Sequence, residues 1–217
     1  AGQMALTASG RAEGLSGVVR ITASLVVSHH LLPPILAGIR ARHPEIELEL
    51  VPSDTSENLL FREADIALRM YRPEQLDVVT RHLGDLALGM FGARSYLDRA
   101  GRPQTPDDLR GHDFVGFDRS EFIIHGMRSM GMEVDRHFFA TRCDHQTTYW
   151  ELVRAGCGLG FGQLSFGLPD PALERLLHDL PLPAIPVWLT AHEAMRQTPR
   201  IRRVWDMLAE GLTPHLS

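Results

Sequence analysis

The residues best suited to chemistry are hydroxyls, one arginine and a few acids, each set where a short apolar run ends. Thr22, Ser24 and Ser28 follow the run Val18 to Ala23, Ser53 follows Ile46 to Val51, and Arg69 closes ADIALR. Hydroxyls and free N–H groups at a helix start receive anions, and a guanidinium meets a carboxylate with two parallel bonds. Ser24 or Ser28 serves equally well as a plain helix cap, and Arg69 as a surface arginine.

Catalytic readings find less support. The run Gly156, Gly158, Gly160, Gly162 follows a helix and enters a strand, whereas a dinucleotide loop leaves a strand and opens a helix; a helix C-cap and a tightly packed strand explain it. Ser165 in GQLSFG is one residue out of step with a nucleophile elbow. Cys143, Asp144 and His145 form one cluster of metal-ligand types, and His29 and His30 another. Neighbours on a strand point to opposite faces and the two histidines diverge on a helix, so neither cluster turns three ligands inward. All 22 basic residues are arginine, which removes Schiff-base lysines and the Walker phosphate loop. With 27 acidic residues the net charge is -5, the wrong sign for a chain that grips nucleic acid over a broad face. Arg196, Arg200, Arg202 and Arg203 read as the solvated face of a helix whose stripe holds Trp205 and Leu208.

The elements that position these residues follow from periodicity. Val18 to Ala23 is a short β-branched run, Leu31 to Ile39 has helical spacing, and Ile46, Leu48 and Leu50 alternate with glutamates. That order predicts a βαβ unit. A short helix, a strand at Ala64 to Arg69, and extended segments at Val78 to Leu83 and Leu86 to Phe91 follow. Gly101, Pro103 and Pro106 mark a surface connection; Phe114 to Phe117 and His137 to Thr141 read as strands, Gln146 to Ala155 as a helix, and Pro199 to Leu212 as the last helix. At 217 residues and 44% hydrophobic, the chain can bury one large core or two small ones. No apolar stretch is long enough to span a bilayer, and the first residues lack a secretory pattern, so the cytoplasm is expected. Two cysteines are too few for a disulfide framework and read as core thiols.

Several stretches, in order, resemble the effector-binding domain of LysR-type transcriptional regulators: GVVRITASLVVSHHLLPPILAGIRARHPEIELELVPSD from Gly17, NLLFREADIALRMYRP from Asn58, RHLGDLALGMFGARSYLDRAGRPQTPDDLRGHDFVGFD from Arg81, LVRAGCGLGFGQ from Leu152, and LPLPAIPVWLTAHEAMRQTPRIRRVWDMLAEGL from Leu180. The resemblance runs from about Leu15 to the C-terminus. It implies an α/β fold of two Rossmann-like lobes with a cleft between them, like a type 2 periplasmic binding protein. Residues 1 to 16 are then the remnant of a linker helix, 17–90 with 192–217 form lobe I, and 91–191 form lobe II. No winged helix-turn-helix precedes Ala1, so DNA contact is expected only through a missing N-terminal domain.

The implied function is non-enzymatic: a bacterial ligand sensor in transcription regulation, a homodimer or higher oligomer without a cofactor, that relays occupancy of its cleft. The effector, a carboxylate in one version, would meet Ser24, Leu25, Ser28, Ser53, Arg69 and Tyr71 of lobe I and Asp118, Cys143, Asp144 and Phe161 of lobe II. An acid at Asp144 departs from many members and weakens the case for a purely anionic effector. Trp150 reads first as a core residue. Two other classes remain open on sequence, a periplasmic solute-binding protein and a small-molecule hydrolase or lyase.

Overall fold

The computed structural model describes residues 14–54, 64–73, 78–193 and 198–217. The expected short helix before Ala64, the linker remnant before Gly14 and Arg196 lie outside them. The chain divides into two compact units, residues 1–85 with 186–217 and residues 86–185. The crossings fall near Leu86 and Ile185, several residues before the expected Phe91 and His192. The second differs because Val187 to Ala191 belongs to a strand of the first unit's sheet.

In the first unit, β1 (Gly17–Ala23), β2 (Ile46–Pro52), β3 (Ile66–Arg69), β4 (Val78–Leu86) and β10 (Ile185–His192) form one sheet in the order β2-β1-β3-β10-β4. β1 pairs in parallel with β2 and β3, and β10 runs antiparallel to β3. Between β1 and β2 the sequence predicts one helix, yet two occur: α1 (Leu25–His30) and α2 (Leu32–Arg42). Pro33 and Pro34 have no N–H to give the preceding turn, so the helix must restart there, where prolines are tolerated in a first turn.

The last helix, α7 (Pro199–Leu212), has the predicted bounds. Ile201, Val204, Trp205, Leu208 and Leu212 recur at helical spacing and are all buried, and the helix packs on α2 and β1. Burial of each such side chain stabilises by about 1.5–3 kcal/mol. A β-carbon on Gly211 would come within 2.8 Å of Ile35, so glycine sets how closely these helices approach. Arg202 and Arg203 face water, as expected, while Arg200 Nε donates to the Val18 carbonyl at 3.1 Å. Ser217 exchanges two backbone hydrogen bonds with Asp85, at 3.0 and 3.1 Å, and ties the C-terminus to β4.

The second unit holds β5 (Leu88–Ala93) between antiparallel partners β8 (Gly160–Gln163) and β9 (Leu173–Leu176). A two-stranded parallel pair, β6 (Val115–Gly116) with β7 (Thr141–Arg142), stands beside it. Helices α3 (Arg94–Ala100), α4 (Phe122–Ser129), α5 (Gln146–Arg154) and the one-turn α6 (Leu164–Gly167) complete the unit. Helix α4 was not expected. The strand expected at His137 to Thr141 is instead a 3-10 turn over Arg136–Phe138 followed by β7, because Asp135 caps His137 N–H at 2.8 Å and bends the chain.

Trp150, 2% exposed, is a core residue that meets Phe91 and Phe166 edge-on. The glycine run has the structural basis foreseen. Gly156, at φ +87°, follows α5 in a conformation open to glycine, and β-carbons on Gly160 and Gly162 would strike Val153 and Trp150. Cys157 packs against this core as a free, half-buried thiol.

Candidate functional site

The carboxyl edge of β2-β1-β3 gathers Ser53, Ser24 and Arg69. The parallel register pairs Thr22 with Ala67 and Ala23 with Pro52, so each of the three residues lies just past, or two past, its paired neighbour at one end of the sheet. Ser53 N–H donates to the Ala23 carbonyl at 2.8 Å, which closes the β2 end onto the β1 end.

Ser24 is the N-cap of α1, its Oγ accepting from Val27 N–H at 3.4 Å. Leu25 N–H, the first donor of the helix, is met by Asp54 Oδ1 at 2.9 Å. Ser28 is 5% exposed and its hydroxyl donates to the Ala23 carbonyl at 3.3 Å. The N–H groups of Leu25, Val27 and Ser28 therefore already have acceptors within the chain. Asp54 went unremarked in the sequence; its place four residues past the apolar positions of β2, opposite a helix start, is the signal that would have found it.

Arg69 is 4% exposed, far from the surface arginine that spacing alone allows. Burial lowers its guanidinium pKa from the ordinary arginine value, with Tyr71 acting in the opposite direction, and an arginine stays protonated regardless. Tyr71 itself is 43% exposed. On the face of the sheet shared with Arg69, Thr22 and Thr190 flank Ala67 on either side. Both threonines are fully buried, and among the described residues neither hydroxyl has a hydrogen-bond partner. Thr190 went unremarked as well, although a threonine inside VWLTA marks a polar group in a buried run.

In the second unit, Asp144 does not cap α5. His145 does, its Nδ1 accepting from Thr148 N–H at 3.4 Å and lying 3.0 and 3.1 Å from the hydroxyls of Thr147 and Thr148. The Asp144 carboxylate turns to the loop after β6 and accepts N–H groups from Asp118, Arg119 and Ser120, at 2.9, 3.0 and 3.4 Å. These bonds, Arg119's first, hold its carboxyl below the usual carboxylate range. Asp118 accepts from Arg136 Nη2 at 2.5 Å, with Arg142 Nε at 3.8 Å. Cys143 is half-buried, and its N–H donates to the Gly116 carbonyl at 3.0 Å. This corner is an acid-and-arginine network with its N–H groups spent on Asp144.

Phe161 is half-buried and stacks on Phe114 at 6.1 Å, while its N–H donates to the Tyr149 hydroxyl at 2.8 Å; burial raises the pKa of that hydroxyl. Two residues on, Gln163 shares the strand face of Phe161, is 6% exposed, and has no donor for its Oε1. A glutamine between Gly162 and Leu164 in a buried strand was the available signal. His29 and His30 pack ring edge to face at 4.7 Å instead of diverging, and among the described residues no three metal-ligating side chains converge. No described helix is long and apolar enough to cross a membrane.

The LysR substrate binding domain family model matches residues 12–213. The HTH-type transcriptional regulator CrgA of Neisseria meningitidis serogroup C (strain 8013) is 29% identical over 147 residues, covering 66% of this chain and 48% of CrgA; the chain spans about half the length of such relatives. The solved structure of the CrgA regulatory domain from Neisseria meningitidis is similar over 91% of this chain and 99% of its own, at 26% identity and TM-score 0.75. The full-length Vibrio cholerae virulence activator AphB shares the fold at 17% identity and TM-score 0.72, over 96% of this chain and 73% of its own. The fold is the two-lobe, type 2 periplasmic-binding-like α/β architecture, and the chain belongs to the LysR substrate binding domain family, the effector-binding domains of LysR-type transcriptional regulators.

Proposed function

We propose that this chain binds a small-molecule effector through the carboxyl edge of its first sheet, with Arg69 as the principal polar contact, and that occupancy is relayed to a DNA-binding domain elsewhere in the full regulator. The observation that carries this reading is the burial of Arg69 at the strand end beside Ser24 and Ser53. A guanidinium held at a strand end presents a planar fork of donors that matches a carboxylate, and partial removal from water strengthens such a bond. Asp54 and Ser24 already take the N–H groups of Leu25 and Val27, so the reading rests on Arg69 more than on the helix end.

In this reading the second lobe adds Asp118, Cys143, Asp144 and Phe161 to the effector set. The carboxylates there suit donor groups on the ligand, such as hydroxyl, amide or ammonium, so the effector pairs an acidic end with a donor-bearing end. The protein acts by differential affinity for two arrangements of its lobes or subunits. It has no catalytic step, works in the cytoplasm, and assembles as a homodimer or higher oligomer. The test is a ligand titration of the wild-type chain and Arg69→Met: binding lost with Arg69 supports the reading, and equal binding by both overturns it.

A further inference from the structure

A surface groove lies wholly within the second unit and shares no residue with the effector set assigned above. The chain after α3 and the loop after β9 flank an open groove of about 510 Å³, lined by Arg102, Pro103, Arg175, Leu177, His178 and Leu180 among others. That volume falls in the range of small-molecule sites, roughly 300–1,000 Å³. Its leucines and prolines form an apolar wall, and its cations are unequally matched.

Arg102 is paired twice, with Glu174 at 2.9 Å and Asp98 at 3.1 Å, and Glu174 also receives Arg94 at 3.1 Å. Arg175 is different. Its Nη2 donates to the His178 carbonyl at 3.1 Å, and among the described residues its buried Nε has no acceptor and the guanidinium joins no ion pair. Asp179, also on the rim, is exposed and not bonded to it. A half-buried guanidinium with unspent donors, set against apolar side chains, attracts an anion more strongly than one in water.

The loop itself is shaped at a cost. Leu177 has φ +43°, the one described residue other than glycine with positive φ, a conformation that costs about 1 kcal/mol or more for a residue with a β-carbon. Leu180 N–H holds it by donating to its carbonyl at 3.0 Å. Backbone strain of this kind concentrates at ligand clamps and switches. The bend brings Leu177, Leu180 and the Arg175 guanidinium to one wall.

We propose that this groove is a second, independent binding site for a small organic monoanion, its carboxylate on Arg175 and its apolar body against Leu177, Leu180 and Pro103. The proposal does not depend on the Arg69 site. The test uses the 217-residue chain labelled with nitrogen-15, titrated with benzoate and with the neutral benzamide, in wild type, Arg175→Gln, Pro181→Glu and Arg69→Met. Benzoate should give saturable amide shifts at Leu176, Leu177, His178 and Leu180, with affinity at least tenfold weaker in Arg175→Gln and for benzamide, as loss of one charge-assisted bond implies. Pro181 is exposed, so Pro181→Glu folds and places a like charge on the rim; it should weaken benzoate too. Arg69→Met should leave these shifts intact, which separates failure of this site from failure of the effector site. No saturable shift up to roughly 10 mM, ten times a Kd of about 1 mM, overturns the proposal. So do shifts that survive in Arg175→Gln and Pro181→Glu, or that benzamide reproduces equally.

Discussion

The carboxylate of Asp144 takes the backbone N–H of Arg119 on both of its oxygens, at 3.0 and 3.2 Å, and so fixes the loop that carries Asp118. A side chain that resembles a ligand contact in sequence is the internal acceptor for three successive N–H groups. Replacing it by asparagine, which keeps the shape and removes the charge, should lower stability by roughly 1 kcal/mol, the low end for bonds to an exposed charged acceptor. The Asp144 pKa is depressed from the ordinary 3.8, so its contribution is present above that value and fades as pH falls through the lower, folded-state pKa. Denaturant melts of wild type and Asp144→Asn should therefore differ at neutral pH and converge only below 3.8. A constant difference down to the acid limit would show that charge is not the cause.

Ser24→Ala removes the cap of α1 and should cost about 1 kcal/mol of stability, whereas Ser24→Gly should cost only a few tenths. Thermal melts of the two variants decide this. Equal melts for wild type and Ser24→Ala would free the hydroxyl for a ligand role.

Gly162→Ala should destabilise the second unit by roughly 1–3 kcal/mol, because the new methyl falls 2.3 Å from a Trp150 ring atom that the core holds in place. The loss should appear in chemical denaturation, with fluorescence of Trp150 in a Trp188→Phe, Trp205→Phe background as probe. An unperturbed midpoint would mean that the tryptophan yields easily.

Thr190→Val exchanges a buried hydroxyl, without a partner among the described residues, for a methyl group of similar size. Stability should rise by about 1 kcal/mol, since the desolvation cost of the hydroxyl disappears. Calorimetric unfolding checks the sign. A clear fall would mean that the hydroxyl is hydrogen-bonded in solution.

The periodic elements were legible in the sequence because burial writes them directly. β2 and α7 show one face to the core and the other to water, β1 is a short β-branched run buried on both faces at its end, and α5 and the glycine run are punctuated by Gly156. The break at Leu31 was written in Pro33 and Pro34 but was smoothed over by the helical spacing of their neighbours. Helix α4 and the 3-10 turn before β7 were illegible, since they depend on local caps and on tertiary contacts of Ile123, Ile124 and Met127. At the candidate site, spacing located the strand ends of Ser24, Ser53 and Arg69. It could not reveal that Asp54 and Asp144, distant in sequence from the N–H groups they serve, occupy those donors first. The burial of Arg69 was equally hidden, because exposure of a strand's last residue depends on what covers it.

Calorimetric titration of the chain with a small carboxylate that raises its melting temperature, in wild type and in Arg69→Met, tests effector binding at the first sheet's carboxyl edge most directly. Methionine keeps most of the buried stem and deletes the guanidinium. Arg69→Met should fold and bind the ligand weaker by about 1.5–3 kcal/mol, the worth of a hydrogen bond to a charged group. Unchanged affinity in a folded Arg69→Met protein would contradict the account and move the effector away from this edge.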